Sequence, residues 1–104
     1  MTEEAKTTLI DKVKKKCYIT DISDDMIDRL KDIVDDAIIK ISKKLGIVGD
    51  FDFSKPSQER DLFLNYCFYA WNDSSDEFDQ NYLNDIMQIR NYYEVKQNAE
   101  TEEN

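Results

Sequence analysis

One stretch constrains the fold of this chain above all others. Ser23–Gly46 places Met26, Ile27, Leu30, Ile33, Val34, Ala37, Ile38, Ile41 and Leu45 at spacings of three and four, which lines apolar side chains along one side of an α-helix. The stretch also carries its own boundaries. Ser23 is a good N-cap, Asp24 and Asp25 stand where unpaired backbone N–H groups favour negative charge, and Lys40, Lys43 and Lys44 gather at the opposite pole. Gly46 supplies the left-handed residue that ends such a helix. About 21 residues at ~1.5 Å each span roughly 32 Å, the width of a small domain. An apolar stripe of that length has to be covered, so the remaining segments are expected to be helices packed against it.

Residues 3–16 predict a shorter first helix, with Leu9, Ile10 and Val13 as a narrow apolar stripe, Glu3 and Glu4 at its start and Lys14–Lys16 at its end. Lys12 with Lys14–Lys16 is the dense basic cluster of the chain. It reads either as a solvated helix end or as an electrostatic contact with an acidic partner or a neighbouring subunit. Cys17–Ile22 is a short apolar link, and Ile22 occupies the hydrophobic-staple position before Ser23, with Ile27 as its partner.

Beyond Gly46 the helical pattern breaks. Ile47, Val48, Phe51 and Phe53 alternate imperfectly with Gly49, Asp50 and Asp52, as a short extended piece or as a loop that docks its aromatics on the core or on another chain. Asp50–Ser54 opens like a calcium loop, but Lys55 stands where a sharp glycine turn is needed, Pro56 follows, and Asp61 replaces the bidentate Glu. A third helix, capped by Ser54 or Ser57 with Pro56 in its opening turn, is expected to reach Ala70 or Trp71. Leu62, Phe63, Tyr66, Phe68, Tyr69, Ala70 and Trp71 make it apolar nearly all round, which marks a buried central helix. It carries more aromatic area than 104 residues readily cover, which leaves an exposed patch or a subunit contact. Asn72–Asp76 is a turn, and Ser74 with Glu77 is a capping-box candidate opening a fourth helix to about Lys96. Its stripe is Phe78, Tyr82, Leu83, Ile86, Ile89 and Tyr93, with Met87 less neatly placed. Residues 1–98 are therefore expected to form one all-α domain of about four helices, and 99–104 an acidic, disordered tail.

Charge and composition narrow the function. Lys and Arg number 14 against 23 Asp and Glu, a formal net charge of −9. That balance weighs against a protein that coats DNA or a membrane surface, since phosphate binding needs accessible cations. It leaves open one that lets DNA pass without gripping it. No apolar run approaches the ~20 residues of a membrane span, and none follows the basic cluster as a secretion signal requires; no membrane role is expected. Two cysteines, Cys17 and Cys67, are too few for a disulfide framework or a zinc site. Cys67 reads as a small buried hydrophobe, with a Cys17–Cys67 disulfide as the alternative. The absence of histidine removes the usual near-neutral base and the commonest transition-metal ligand, and two glycines cannot build a phosphate loop. No catalytic, cofactor-binding or metal-binding residue is assigned, and the chain is not expected to be an enzyme. Asp25, Asp28, Asp32, Asp35 and Asp36 fall on the polar side of the long helix. They read as a solvated surface, as a negative wall that repels DNA phosphates, or as a DNA mimic that engages a basic protein.

The order of the parts adds a resemblance. A short first helix, the Asp21–Asp25 link into the long helix, the Ile38–Gly46 helix end, and Tyr66-Cys67-Phe68-Tyr69-Ala70-Trp71 before the turn are similar to the small head–tail connector (adaptor, or head-completion) proteins of long-tailed bacteriophages and related prophages. The likeness covers roughly residues 3–95. It implies an all-helical protomer that assembles with itself, typically as a twelvefold ring, beneath the portal protein of the filled head. Such a ring extends the DNA channel and offers a docking surface to the next connector or tail-completion protein. Its place is the head–tail junction of the virion, and the host cytoplasm during assembly. The loop 46–55 is compact beside the projecting intersubunit arm of some relatives. On this resemblance Lys14, Lys15, Phe51, Phe53, Tyr69 and Trp71 are expected at assembly interfaces, and Asp28, Asp32, Asp35 and Asp36 facing the channel. The alternative function is a small acidic inhibitor, a DNA mimic that binds a basic partner.

Overall fold

The computed structural model describes residues 1–20 and 23–103, the last four by their backbone alone. Ile22, and with it the expected staple onto Ile27, lies outside the described residues. The chain is a small all-α domain: α1 (Glu3–Lys16), α2 (Asp24–Leu45), α3 (Gln58–Trp71), α4 (Phe78–Asn81) and α5 (Leu83–Glu103), with one 3-10 turn at Ser75–Glu77.

Local chemistry sets most of the boundaries. The Thr2 hydroxyl accepts from the Ala5 N–H at 3.1 Å and opens α1. The Ser23 hydroxyl accepts from the Met26 N–H at 3.4 Å and opens α2. At the other end of α2, Gly46 adopts φ 73°, and the Gly46 and Ile47 N–H groups close back on the carbonyls of Lys43 and Ser42. A Cβ at Gly46 would meet only ordinary contacts, Arg90 Cγ at 3.6 Å and Tyr93 Cβ at 3.9 Å. Gly46→Ala is therefore expected to cost about 1 kcal/mol through backbone strain alone, read as a lower urea midpoint at unchanged m.

α3 is capped by Ser57, whose hydroxyl accepts from the Arg60 N–H at 2.9 Å. Pro56 thus stands before the cap, whereas the sequence reading placed it in the opening turn. The helix count also differs from expectation: among the described residues five helices form, not four. Ser74 makes no side-chain cap; its hydroxyl donates to the Asn72 carbonyl at 3.3 Å. The helix that begins at Phe78 stops after four residues at Tyr82, which has φ −117° and ψ 20°. Tertiary packing explains the break. Phe78 is fully buried, edge-on to Tyr66 at 5.3 Å and stacked on Tyr82 at 5.0 Å, while Tyr69 meets both Phe78 and Tyr82. Holding both rings against α3 interrupts the helix at Tyr82, and α5 begins at Leu83. α5 then runs through Glu103 and not to Lys96, because residues 96–103 contain neither Gly nor Pro to stop it.

The core forms where α2 and α1 meet α3. Leu30, Val34, Ala37, Ile41 and Leu45 of α2, Leu9 and Val13 of α1, and Phe63 and Cys67 of α3 are essentially inaccessible. Phe53 joins them from the loop before α3, stacked on Phe63 at a centroid distance of 4.8 Å. Among the described residues α5 contributes Ile86 and Ile89, with Tyr93 partly buried against the core. It is lashed on by polar bonds, Tyr93 donating to Glu59 at 2.9 Å and Gln97 donating to the Gly46 carbonyl at 3.0 Å. The result is elongated: 51 × 31 × 19 Å, with a radius of gyration of 14.7 Å against about 13 Å for a compact chain of this length.

Candidate assembly surface

The end of α1 carries the basic cluster and an unusual residue. Cys17, Tyr18 and Ile19 donate their N–H groups to the carbonyls of Val13, Lys15 and Lys14, closing the helix at Tyr18. Such a closure needs a left-handed residue, normally glycine. Here Tyr18 supplies it, with φ 56°, and its side chain is 84% exposed. Lys14 is half-buried, and Lys15 is exposed and paired with Asp11 at 3.1 Å. Sequence reading placed Tyr18 merely in an apolar link. The available signal was the lack of any glycine after the lysine run.

Asp28, Asp32, Asp35 and Asp36 lie exposed on the outer side of α2, where they line a shallow trough of roughly 740 Å³ together with Asp25, Arg29, Ile33 and Ile39. The four are not equivalent. Asp35 pairs with Lys6 at 2.6 Å and Asp36 with Lys40 at 2.7 Å. The hydrogen bond from each ammonium to its carboxylate holds both lysines above the ordinary lysine range. Among the described residues, Asp28 and Asp32 have no ion-pair partner. Ile39, at 68% exposure, breaks the polar character of the trough.

The aromatic residues expected at assembly interfaces are mostly engaged within the chain. Phe53 is completely buried and offers no surface to another molecule; Phe51 leans on it, tilted, at 4.8 Å. Both rings of the loop dock on the core. Tyr69 packs against Phe78 and Tyr82, and its hydroxyl accepts from Asn81 at 3.0 Å. Trp71 lies under the Arg29 guanidinium, 4.2 Å from ring centroid to Cζ, and Arg29 also donates to the Trp71 carbonyl at 2.8 Å. α3 therefore leaves no large apolar side chain widely exposed. The exposed ones are elsewhere: Tyr18, Met26, Ile39 and Val48, and Leu83, Met87, Tyr92 and Val95 on α5. Of the residues expected at assembly interfaces, Phe53 is thus withdrawn by burial, while Lys14, Lys15, Phe51, Tyr69 and Trp71 keep some exposed surface.

A second depression, roughly 580 Å³, lies between the end of α2 and α5 and is lined by Lys40, Lys43, Lys44, Tyr66, Ser75, Asp76 and Arg90. Its cations are largely spoken for, with Lys44 held by Asp79 at 2.7 Å and Arg90 by Glu94 at 3.4 Å. Both cysteines are free and buried. Burial pushes the Cys17 thiol up to about 11 and raises that of Cys67 as well, which is the opposite of an activated nucleophile. At the calcium-like start of the loop, Asp52 accepts from both the N–H and the hydroxyl of Ser54, and these bonds hold its carboxyl below the usual range. Among the described residues no three His, Cys, Asp or Glu side chains gather as a metal-ligand set. No described helix is long and apolar enough to cross a membrane. Comparison with protein-family models, with curated proteins and with solved structures finds no match.

Proposed function

We propose that this chain is a structural subunit of a phage head–tail connector: a small helical protomer that assembles into a ring below a portal protein, prolongs the DNA channel and receives the next connector or tail-completion protein. The observation that carries this reading is the presence of two oppositely charged surfaces, each with an exposed apolar side chain, on a chain whose buried residues are occupied by packing. An exposed aromatic stands at the end of the lysine run on α1, and a carboxylate trough with an exposed isoleucine lies on α2. A net charge of −9 keeps the assembled body from retaining DNA. Further apolar side chains on α5, among them Leu83 and Met87 at 55% exposure, offer area for a second partner.

The test is the mass of the full chain by light scattering over a concentration series, alone and with the portal protein of the same genome. A ring-sized species or a stoichiometric complex with the portal is expected. A strict monomer that ignores the portal overturns the connector reading, and if it captures a basic DNA-binding protein instead, the carboxylate trough is acting as a DNA mimic.

A further inference from the structure

We infer that Tyr18, with Lys14 and Lys15, docks into the acidic trough of α2 on a second copy of this chain. This contact rests on the ring reading and names the two surfaces that would meet in it.

Tyr18 is the first support. A side chain other than glycine in the left-handed region costs free energy that the surrounding structure must offset. The ring is 84% exposed, so little among the described residues of the protomer gains from it. A residue that is conformationally unfavourable and leaves its aromatic ring in water is accounted for when the ring is an anchor for another molecule, and tyrosine is among the residues that dominate binding energy at protein interfaces. The helix closure by the Ile19 N–H on the Lys14 carbonyl at 3.0 Å fixes its backbone, so little order has to be gained on docking.

The trough supplies the complement. Asp28 and Asp32 are free of ion pairs among the described residues and can take the lysine ammonium groups, while Ile39, 68% exposed, gives the phenol ring an apolar floor. A wall that merely lets DNA slip past has no use for an exposed isoleucine. The contact therefore moves Asp28 and Asp32 from the channel wall to the subunit boundary. Within one copy no ion pair joins Lys14 or Lys15 to the trough among the described residues; Lys15 reaches only Asp11. The basic depression by α5 is the weaker candidate for an acidic partner, because Lys40, Lys44 and Arg90 already hold Asp36, Asp79 and Glu94. Two different surfaces meeting in one contact make it heterologous, and such contacts propagate from copy to copy until a ring closes.

The experiment is a charge exchange on the full chain, read by light scattering, with circular dichroism to verify folding. Lys14→Glu with Lys15→Glu, and separately Asp28→Lys with Asp32→Lys, are each expected to leave the protein monomeric where the unaltered chain is multimeric. An equimolar mixture of the two should reassemble, since every boundary then joins opposite charges in alternation. Tyr18→Gly relieves the backbone, so it should keep or raise the melting temperature while weakening assembly at least tenfold. An unaltered chain that stays monomeric to its solubility limit overturns the contact. So do folded variants that assemble as the unaltered chain does, or a mixture that stays monomeric. Multimers indifferent to the exchange remove this contact but leave the ring; variants that stay multimeric yet lose the portal would place the portal on Tyr18.

Discussion

Phe53→Ala is expected to destabilise the protomer by ~3–5 kcal/mol, a loss comparable to the whole stability of many small domains. The effect is large because Phe53, although outside every helix, is completely buried and sandwiched between Phe51 and Phe63, each at a centroid distance of 4.8 Å. Deleting the ring leaves a cavity that Phe63, held on α3, cannot close, and it frees the loop that connects α2 to α3. Val48→Ala in the same loop provides the contrast. Val48 is 79% exposed, so its truncation should stay within about 0.5 kcal/mol. Urea midpoints of the two variants, compared at equal m, decide the matter. Equal midpoints would mean that the loop is a passive connector. The consequence for function is direct: a variant at Phe53 that fails to assemble has lost its fold, so it reports nothing about an interface.

The parts of this fold that were legible in the sequence are those fixed within a few residues. Ser23 and Gly46 bound α2 because a hydroxyl acceptor and a left-handed glycine act locally. The alternation of buried Leu30, Val34, Ala37, Ile41 and Leu45 follows from helical spacing alone. The split at Tyr82 was not legible, because it depends on ring contacts with Tyr69 and Phe78 made across the turn. The same gap explains the aromatic expectations. From sequence, Tyr69 and Trp71 belonged to a surplus of aromatic area and Phe53 to a loop docking either on the core or on another chain; the fold packs them against Phe78, the Arg29 guanidinium and Phe63 respectively. The acidic face was found as a set, but not its division: Lys6 reaches Asp35 from another helix, the Asp36–Lys40 pair is a four-residue spacing on α2 that the sequence did offer, and Asp28 and Asp32 have no ion pair among the described residues. Tyr18 escaped notice because a positive φ at a bulky residue is improbable from sequence and visible only in the backbone.

Alkaline pH should unfold this protein through its buried thiols. A free thiol in the unfolded chain ionises near its ordinary value of 9.0, whereas burial raises Cys17 to about 11 and raises Cys67 too. The unfolded chain therefore releases thiol protons above pH 9 that the folded chain retains. Because the folded state then binds more protons, stability falls as pH rises; the contribution is whole below pH 9 and is lost as pH climbs through the folded values. Cys67 should approach a slope of about 1.4 kcal/mol per pH unit above pH 10, and Cys17 adds less as pH nears its own folded value of about 11. Above pH 10 the Tyr93 hydroxyl acts with the same sign, since burial and its hydrogen bond to Glu59 raise it from 10.0. The measurement is the urea midpoint at unit steps from pH 8 to 11, on the unaltered chain, on a Cys17→Ala/Cys67→Ala variant and on Tyr93→Phe. The double variant should flatten the decline between pH 9 and 11, whereas Tyr93→Phe should flatten only its upper end. A decline of equal steepness in all three would assign the loss to the mutual repulsion of a chain already carrying a net charge of −9, and the thiols would then be ordinary core filling with no hold over the pH dependence.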